Sequence, residues 1–186
     1  MIDITLENYA VVQKLLKDQP KKVNLVLSRA INRAATTAKA AMSKKVREVY
    51  VVSAAEVKKS IIITRATASR PFAIVKSTGK KISLAKFRTS PTQPRPKNPP
   101  SAYKVQIKKS GGLKAVPRGF LINVKGSVGF FQRVGASRFP ITRLMGPSVP
   151  QMIGQKSVID WVETQARNML NTRIQHELEQ VLGAKP

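Results

Sequence analysis

An α+β fold is predicted for this 186-residue chain. Long N-terminal and C-terminal helices should pack on a mostly antiparallel sheet of about five or six strands. Three patterns predict it. Residues 21–50 place apolar side chains at helical spacing, and residues 157–182 do the same. Between them run short β-branched or alternating segments punctuated by glycine and proline. A single domain over residues 1–186 is expected, carrying within it a proline-rich basic arm at 88–101.

Residues 2–6 alternate apolar and polar and suggest a short strand. Asn8 offers an N-cap for a helix that Pro20 closes. The long helix follows, with Val23, Leu27, Ala30, Ile31, Ala34, Ala38, Ala41, Met42, Val46 and Val49 on one stripe. At the usual rise per residue it would run roughly 45 Å. Its alanines permit close approach of a neighbouring element. Ser53, with Glu56 three residues on, forms a capping box for a short helix ending near Ser60.

Residues 61–64 and 72–75 are β-branched runs separated by the turn-prone Ser69-Arg-Pro71. Residues 82–87 alternate and are a further strand candidate. Tyr103, Val105 and Ile107 alternate with Lys104, Gln106 and Lys108, the clearest amphipathic strand in the chain. Residues 119–124 and 128–134 read as a hairpin around Lys125-Gly126-Ser127.

The segment 88–101 has five prolines and three basic residues among its fourteen, and nothing large and apolar. It cannot build core and favours an extended chain. Residues 143–152 read as a rigid, turn-rich linker. The final helix should start near Ser157, with Asp160 completing a capping box and Gly183 as its stop. Val158, Trp161, Val162, Ala166, Met169, Leu170, Ile174, Leu178 and Val181 form its stripe.

Charge is distributed unevenly. Residues 57–159 hold 21 Lys and Arg and no Asp or Glu, while all 9 carboxylates lie outside that span. The net charge is +25. Such a surface repels itself until a polyanion or an acidic partner neutralises it, and nucleic acid gains from counterion release. The candidate contacts for nucleic acid or an acidic partner are Lys80, Lys81, Lys86, Arg88, Arg95, Lys97, Lys104, Lys108, Lys109, Lys114 and Arg118. On a half-buried sheet they should gather on the solvent face and at one rim. Phe72, Phe120, Phe130 and Phe131 fall where core positions are expected, so exposed stacking rings for single strands are not anticipated. Phosphate contact without base reading is the expectation.

Other classes find little support. Without cysteine there is no disulfide and no thiolate metal site. The N-terminus lacks the basic and apolar blocks of a signal peptide. The longest uncharged run, residues 144–155, is too short to span a bilayer. Neither long helix has the interfacial pattern of a membrane-surface helix. The only histidine, His176, reads as a helix-surface residue beside Glu177 and Glu179. Asp160 and Glu163 could pose as an acid pair, and Ser77-Thr-Gly-Lys80 matches a serine-x-x-lysine pattern that is common by chance. Ile74 stands where a phosphate-binding loop needs its first glycine. The chain is read as not an enzyme, with no cofactor and no small-molecule substrate.

Several segments together resemble a known family. They are Ala30-Ile-Asn-Arg-Ala-Ala-Thr-Thr-Ala-Lys-Ala-Ala-Met-Ser-Lys44, Val57-Lys-Lys-Ser60, Pro140-Ile-Thr-Arg-Leu-Met-Gly-Pro-Ser-Val-Pro-Gln-Met152 and the C-terminal helix. In order and spacing, over about residues 25–180, they resemble the minor tail protein Z family of long-tailed bacteriophages and prophages. The resemblance implies a structural virion protein that completes the tail at its head-proximal end. It implies a homo-oligomeric ring, a hexamer by expectation, around the channel for genomic DNA, beside other phage neck and tail proteins. Assembly would take place in the host cytoplasm. In that setting Pro94, Pro96, Pro99 and Pro100 of the arm, and Gly146, Pro147 and Pro150, are candidate contacts to neighbouring subunits. A sequence-nonspecific nucleic-acid-binding module, ribosome- or nucleoid-associated, explains the charge equally well. It leaves the Gly-Pro-Ser-Val-Pro segment without a reason.

Overall fold

The computed structural model describes Lys14 and residues 20–183. The expected strand at 2–6 lies outside the described residues, as does the helix begun by Asn8 apart from Lys14, which is helical. The architecture is α+β: the described residues form helices α1 (Pro20–Val49), α2 (Ala54–Ser60), α3 (Val149–Ile153) and α4 (Lys156–Leu182), with eight short strands. The strands do not join in one sheet. They form three small antiparallel sheets: β1 (Ile61–Thr64) with β2 (Ile74–Ser77); β3 (Arg88–Ser90), β4 (Lys104–Gln106) and β5 (Lys114–Ala115); and β6 (Gly119–Val124), β7 (Ser127–Arg133) and β8 (Ile141–Arg143). Runs of two to seven residues broken by proline and glycine are too short to assemble one wide sheet.

The described chain divides into two compact units, the first comprising α1 up to Lys45, residues 58–78 and residues from Ile153 onward. Pro20 opens α1, at an end where its missing N–H costs nothing. The apolar stripe of α1 meets that of α4: Val23, Val26, Leu27, Ala30 and Ala34 form one core with Leu170, Ile174 and Leu178. The helices run antiparallel. Arg29 near the start of α1 pairs with Glu177 near the end of α4 at 3.3 Å, while Lys44 and Lys45 sit 5.9 and 5.5 Å from the Trp161 ring. Val26, fully buried, lies beside the expected stripe, while Trp161 and Met169 are only half-buried.

The β1–β2 hairpin is pinned to α1 by polar side chains. Asn32 donates to the Ala66 carbonyl at 2.9 Å and accepts from the Ala66 N–H at 2.8 Å. The Lys39 ammonium donates to the Ile61 carbonyl at 2.8 Å. The second strand of this hairpin covers 74–77 rather than 72–75, and Phe72, expected in the core, is 51% exposed. A Thr67–Arg70 turn, closed by backbone bonds in both directions, reorients the chain just before it.

The second unit comprises residues 46–57 and 79–152. Ser53 caps α2 as expected, its Oγ accepting from the Glu56 N–H at 3.2 Å. Residues 82–87 are not a strand. Ile82, Ser83, Leu84 and Phe87 are all buried, which no period of two allows, and a 3-10 turn at Leu84–Lys86 delivers them to one core. The β6–β7 hairpin closes through two residues, Lys125 (φ 49°) and Gly126 (φ 78°). Positive φ at both positions marks the turn type whose twist matches the strands. Its inner face buries Leu121 and Phe130, and Tyr103 packs edge-on against Phe130 at 6.1 Å.

Residues 143–152 are more ordered than a linker. Ser148 and Gln151 form the capping box of α3: the Ser148 N–H donates to Gln151 Oε1 at 2.9 Å, and the Gln151 N–H donates to Ser148 Oγ at 3.4 Å. The box expected at the start of α4 is absent. That helix begins after Gln155 without a side-chain cap, and ends at Gly183 in the left-handed region as anticipated. No helix among the described residues is long and apolar enough to cross a membrane.

Candidate nucleic-acid and partner interface

All eleven basic candidates fall in the second unit, and all are exposed. The whole unit carries 16 Lys and Arg against Glu48 and Glu56. Lys86 forms an ion pair with Glu56, so part of its charge is answered within the chain. Arg88 and Lys104 share one face of the β3–β4 pair, with the Arg88 guanidinium donating to Gln106 Oε1 at 3.3 Å. Lys114 pairs with the buried Val105 and therefore sits on the other side of that sheet. The basic residues are thus not gathered on one sheet face. The sheet is too small, and the 3-10 turns at 84–86 and 109–111 carry Lys86 and Lys109 out of strand geometry.

Two concave features collect part of the charge. A recess of about 390 Å³ is lined by Arg47, Lys86, Arg88 and Lys109 together with Tyr50 and Phe87. The Lys108 ammonium lies 5.8 Å from the Tyr50 ring. Burial raises the Tyr50 phenol above its usual value of 10.0. Arg47 is not among the sequence candidates, because it lies outside the acid-free span and, directly beside Glu48, is indistinguishable from a solvated helix charge.

The second feature is a groove of about 700 Å³ between the proline-rich segment and the edge of β6. Pro94, Arg95, Pro96 and Pro99 line one side, and Arg133, Arg138, Phe139 and Ile141 contribute from the β7–β8 region. The proline-rich segment is held by its own chain. Arg88–Ser90 form β3, and the Arg95 N–H donates to the Tyr103 hydroxyl at 3.3 Å. The arm expected at 88–101 therefore begins after β3.

Aromatic placement departs from expectation. Phe130 is buried, but Phe120 and Phe131 are half-buried and stacked 6.5 Å apart on the outer face of the β6–β7 hairpin. Arginines cover the rings: Arg133 lies 5.3 Å from Phe120, Arg143 6.0 Å from Phe131 and Arg138 5.7 Å from the 63% exposed Phe139. The sequence signal was available in Phe130-Phe-Gln-Arg133 and Arg138-Phe139, where rings and guanidiniums interleave.

The remaining candidates separate. Pro96 and Pro99 are exposed, Pro94, Pro100, Pro147 and Pro150 are half-buried, and Lys80, Lys81, Lys97 and Arg118 stand in turns and loops. Gly146 is buried. A Cβ there would lie 2.7 Å from the Phe87 ring and 3.2 Å from Leu84, and its N–H donates to the Ile82 carbonyl at 2.7 Å. Pro150 lies in the first turn of α3. The Gly-Pro-Ser-Val-Pro segment thus builds the fold at Gly146 and caps a helix at Ser148.

His176 is exposed on α4, and Ser77 lies within hydrogen-bonding distance of Ser60 at 3.2 Å. Among the described residues, no cluster of three or more His, Asp and Glu could hold a metal.

Neither a curated protein nor a solved structure matches the chain. The family model of prophage minor tail protein Z matches residues 9–184, nearly the whole length. With that match across both long helices and the basic unit between them, the chain belongs to the prophage minor tail protein Z family, structural proteins of the phage tail within the virion.

Proposed function

We propose that this minor tail protein completes the tail at its head-proximal end, as a homo-oligomeric ring around the DNA channel. Six copies are the expectation. The basic second unit then turns toward DNA or toward acidic neighbouring subunits, and contacts phosphate or carboxylate without reading sequence. The observation that carries this reading is the exposure of all eleven basic candidates in a unit with only two carboxylates. A lumen that conducts DNA gains from such a surface, because fixed positive charge replaces condensed counterions.

The test is mass and shape of the purified protein in moderate salt, with and without duplex DNA, by light scattering and negative-stain microscopy. Rings, alone or with a tail partner, support the proposal and supply the copy number. A persistent monomer that binds duplex DNA with a steep salt slope refutes the ring and leaves a sequence-nonspecific binding module.

A further inference from the structure

The β6 strand is the outer strand of its sheet, and its sequence, Gly119-Phe-Leu-Ile-Asn-Val124, has no charge and no proline. Edge strands left open are templates for another chain, and proteins usually blunt them with charges, prolines or bulges. Here a chain rich in Lys and Arg leaves a six-residue edge without one.

The groove runs along that edge. Phe120, Leu121, Ile122 and Asn123 all line it. Consecutive strand residues point to opposite faces, so a groove touching four in a row reaches the backbone edge, while Arg133 of β7 and Ile141 of β8 carry it onto one face of the sheet as well. Four residues at the strand rise extend about 13 Å. The groove holds about 700 Å³, room for a short extended chain segment. A duplex, whose major groove alone is about 12 Å wide, does not enter.

Charge selects the occupant. Arg95 and Arg138 line the groove, while Arg118 and Lys125 flank the two ends of β6. A second β6 edge would bring the same cations against these and be repelled. Single-stranded nucleic acid stacks its bases on several open rings, whereas Phe120 is stacked on Phe131 and approached by Arg133, which leaves Phe139 as the one largely exposed ring lining the groove.

We propose that the edge of β6 receives an extended acidic peptide segment of a neighbouring protein as an added strand. Backbone hydrogen bonds to β6 supply affinity, and Arg95 and Arg138 select carboxylates. The inference rests on the proposed function only for the source of the segment, a virion neighbour. The binding itself needs no ring.

The experiment uses the full chain and an eight-residue probe of alternating glutamate and valine. A glutamate–proline probe keeps the charge and removes alternate N–H groups. Binding is followed by fluorescence anisotropy, and amide exchange is followed at residues 119–124. The expected result is binding of the glutamate–valine probe at least about tenfold tighter than its proline counterpart, with slowed exchange in 119–124. Arg95→Ala and Arg138→Ala should each weaken it by roughly two- to fivefold, the range of exposed ion pairs. Equal binding of both probes, unchanged exchange at 119–124, no binding at all, or displacement by an oligothymidine that binds more tightly each overturns the proposal. Absence of rings alongside strand-like probe binding refutes the ring reading alone.

Discussion

The side-chain amide of Asn32 closes both of its hydrogen-bonding functions on one residue, donating to the carbonyl and accepting from the N–H of the buried Ala66. A helix side chain here completes the backbone of the segment that follows β1. The first prediction follows directly. Asn32→Ala strands a buried donor and a buried acceptor, and should lower stability by about 1–3 kcal/mol in denaturant titration. Asn32→Asp keeps an acceptor for the N–H but gives the carbonyl no donor, and should fall between the two. Equal midpoints for all three proteins would show that water replaces the amide without cost.

Gly146 makes a second prediction, and it separates a packing role from a neighbour-contact role. Gly146→Ala drives a methyl to within 2.7 Å of the Phe87 ring. Overpacking of this kind costs about 1–3 kcal/mol. The loss should appear in the isolated chain as a lowered Tm and be partly restored by Phe87→Leu. A chain of wild-type stability that fails only in assembly would instead assign Gly146 to a subunit interface.

The long helices were legible because their periodicity spans many turns. Val23 through Ala34 and Val158 through Leu178 declare their buried faces without tertiary help. The β6–β7 hairpin was legible because Lys125-Gly126 satisfies its turn locally. The short strands were not. β3, β5 and β8 hold two or three residues each and exist only through their partners, so no local pattern announces them. Residues 82–87 misled for the converse reason: their alternation is real, but a 3-10 turn at 84–86 overrides it to bury Phe87 beside Gly146. The basic candidates were readable as residues and not as a constellation. Which of them share a recess depends on the bridge between Tyr50 and Lys108, a pairing 58 positions apart that composition cannot reveal.

Tyr50 sets an alkaline limit. Its phenol is raised above 10.0 by burial, so the folded chain holds a proton that the unfolded chain releases. The stabilising difference is fully present below about pH 10 and is lost as pH rises from there through the folded value. Tyr50→Phe should therefore flatten the decline in denaturant midpoint above about pH 10. Parallel curves for the two proteins would show that the phenol titrates alike in both states.

The recess gives the DNA contact a specific handle. If phosphate reaches it, Arg47→Ala, Arg88→Ala and Lys109→Ala should each lower the slope of log affinity against log salt by about 0.9 on duplex DNA. Sequence preference should stay flat, since phosphate contacts carry no base information. Unchanged slopes in all three variants would move the contact away from the recess.

The proline-rich segment supplies the last prediction. Its tether to the second unit after β3 includes the Arg95 N–H on the Tyr103 hydroxyl, while the Tyr103 ring is independently packed on Phe130. Replacing residues 92–98 with a flexible linker of equal length keeps a backbone N–H at position 95 but no longer holds it against the Tyr103 hydroxyl, a loss of at most about 1 kcal/mol. For a chain of this size that lowers Tm by only about 2–4 °C. Assembly with tail partners should suffer far more, because the prolines keep one wall of the β6 groove extended and a glycine–serine linker does not. A loss of Tm well beyond that range would mean the segment belongs to the core of the second unit, and its contribution to assembly could then no longer be separated from folding.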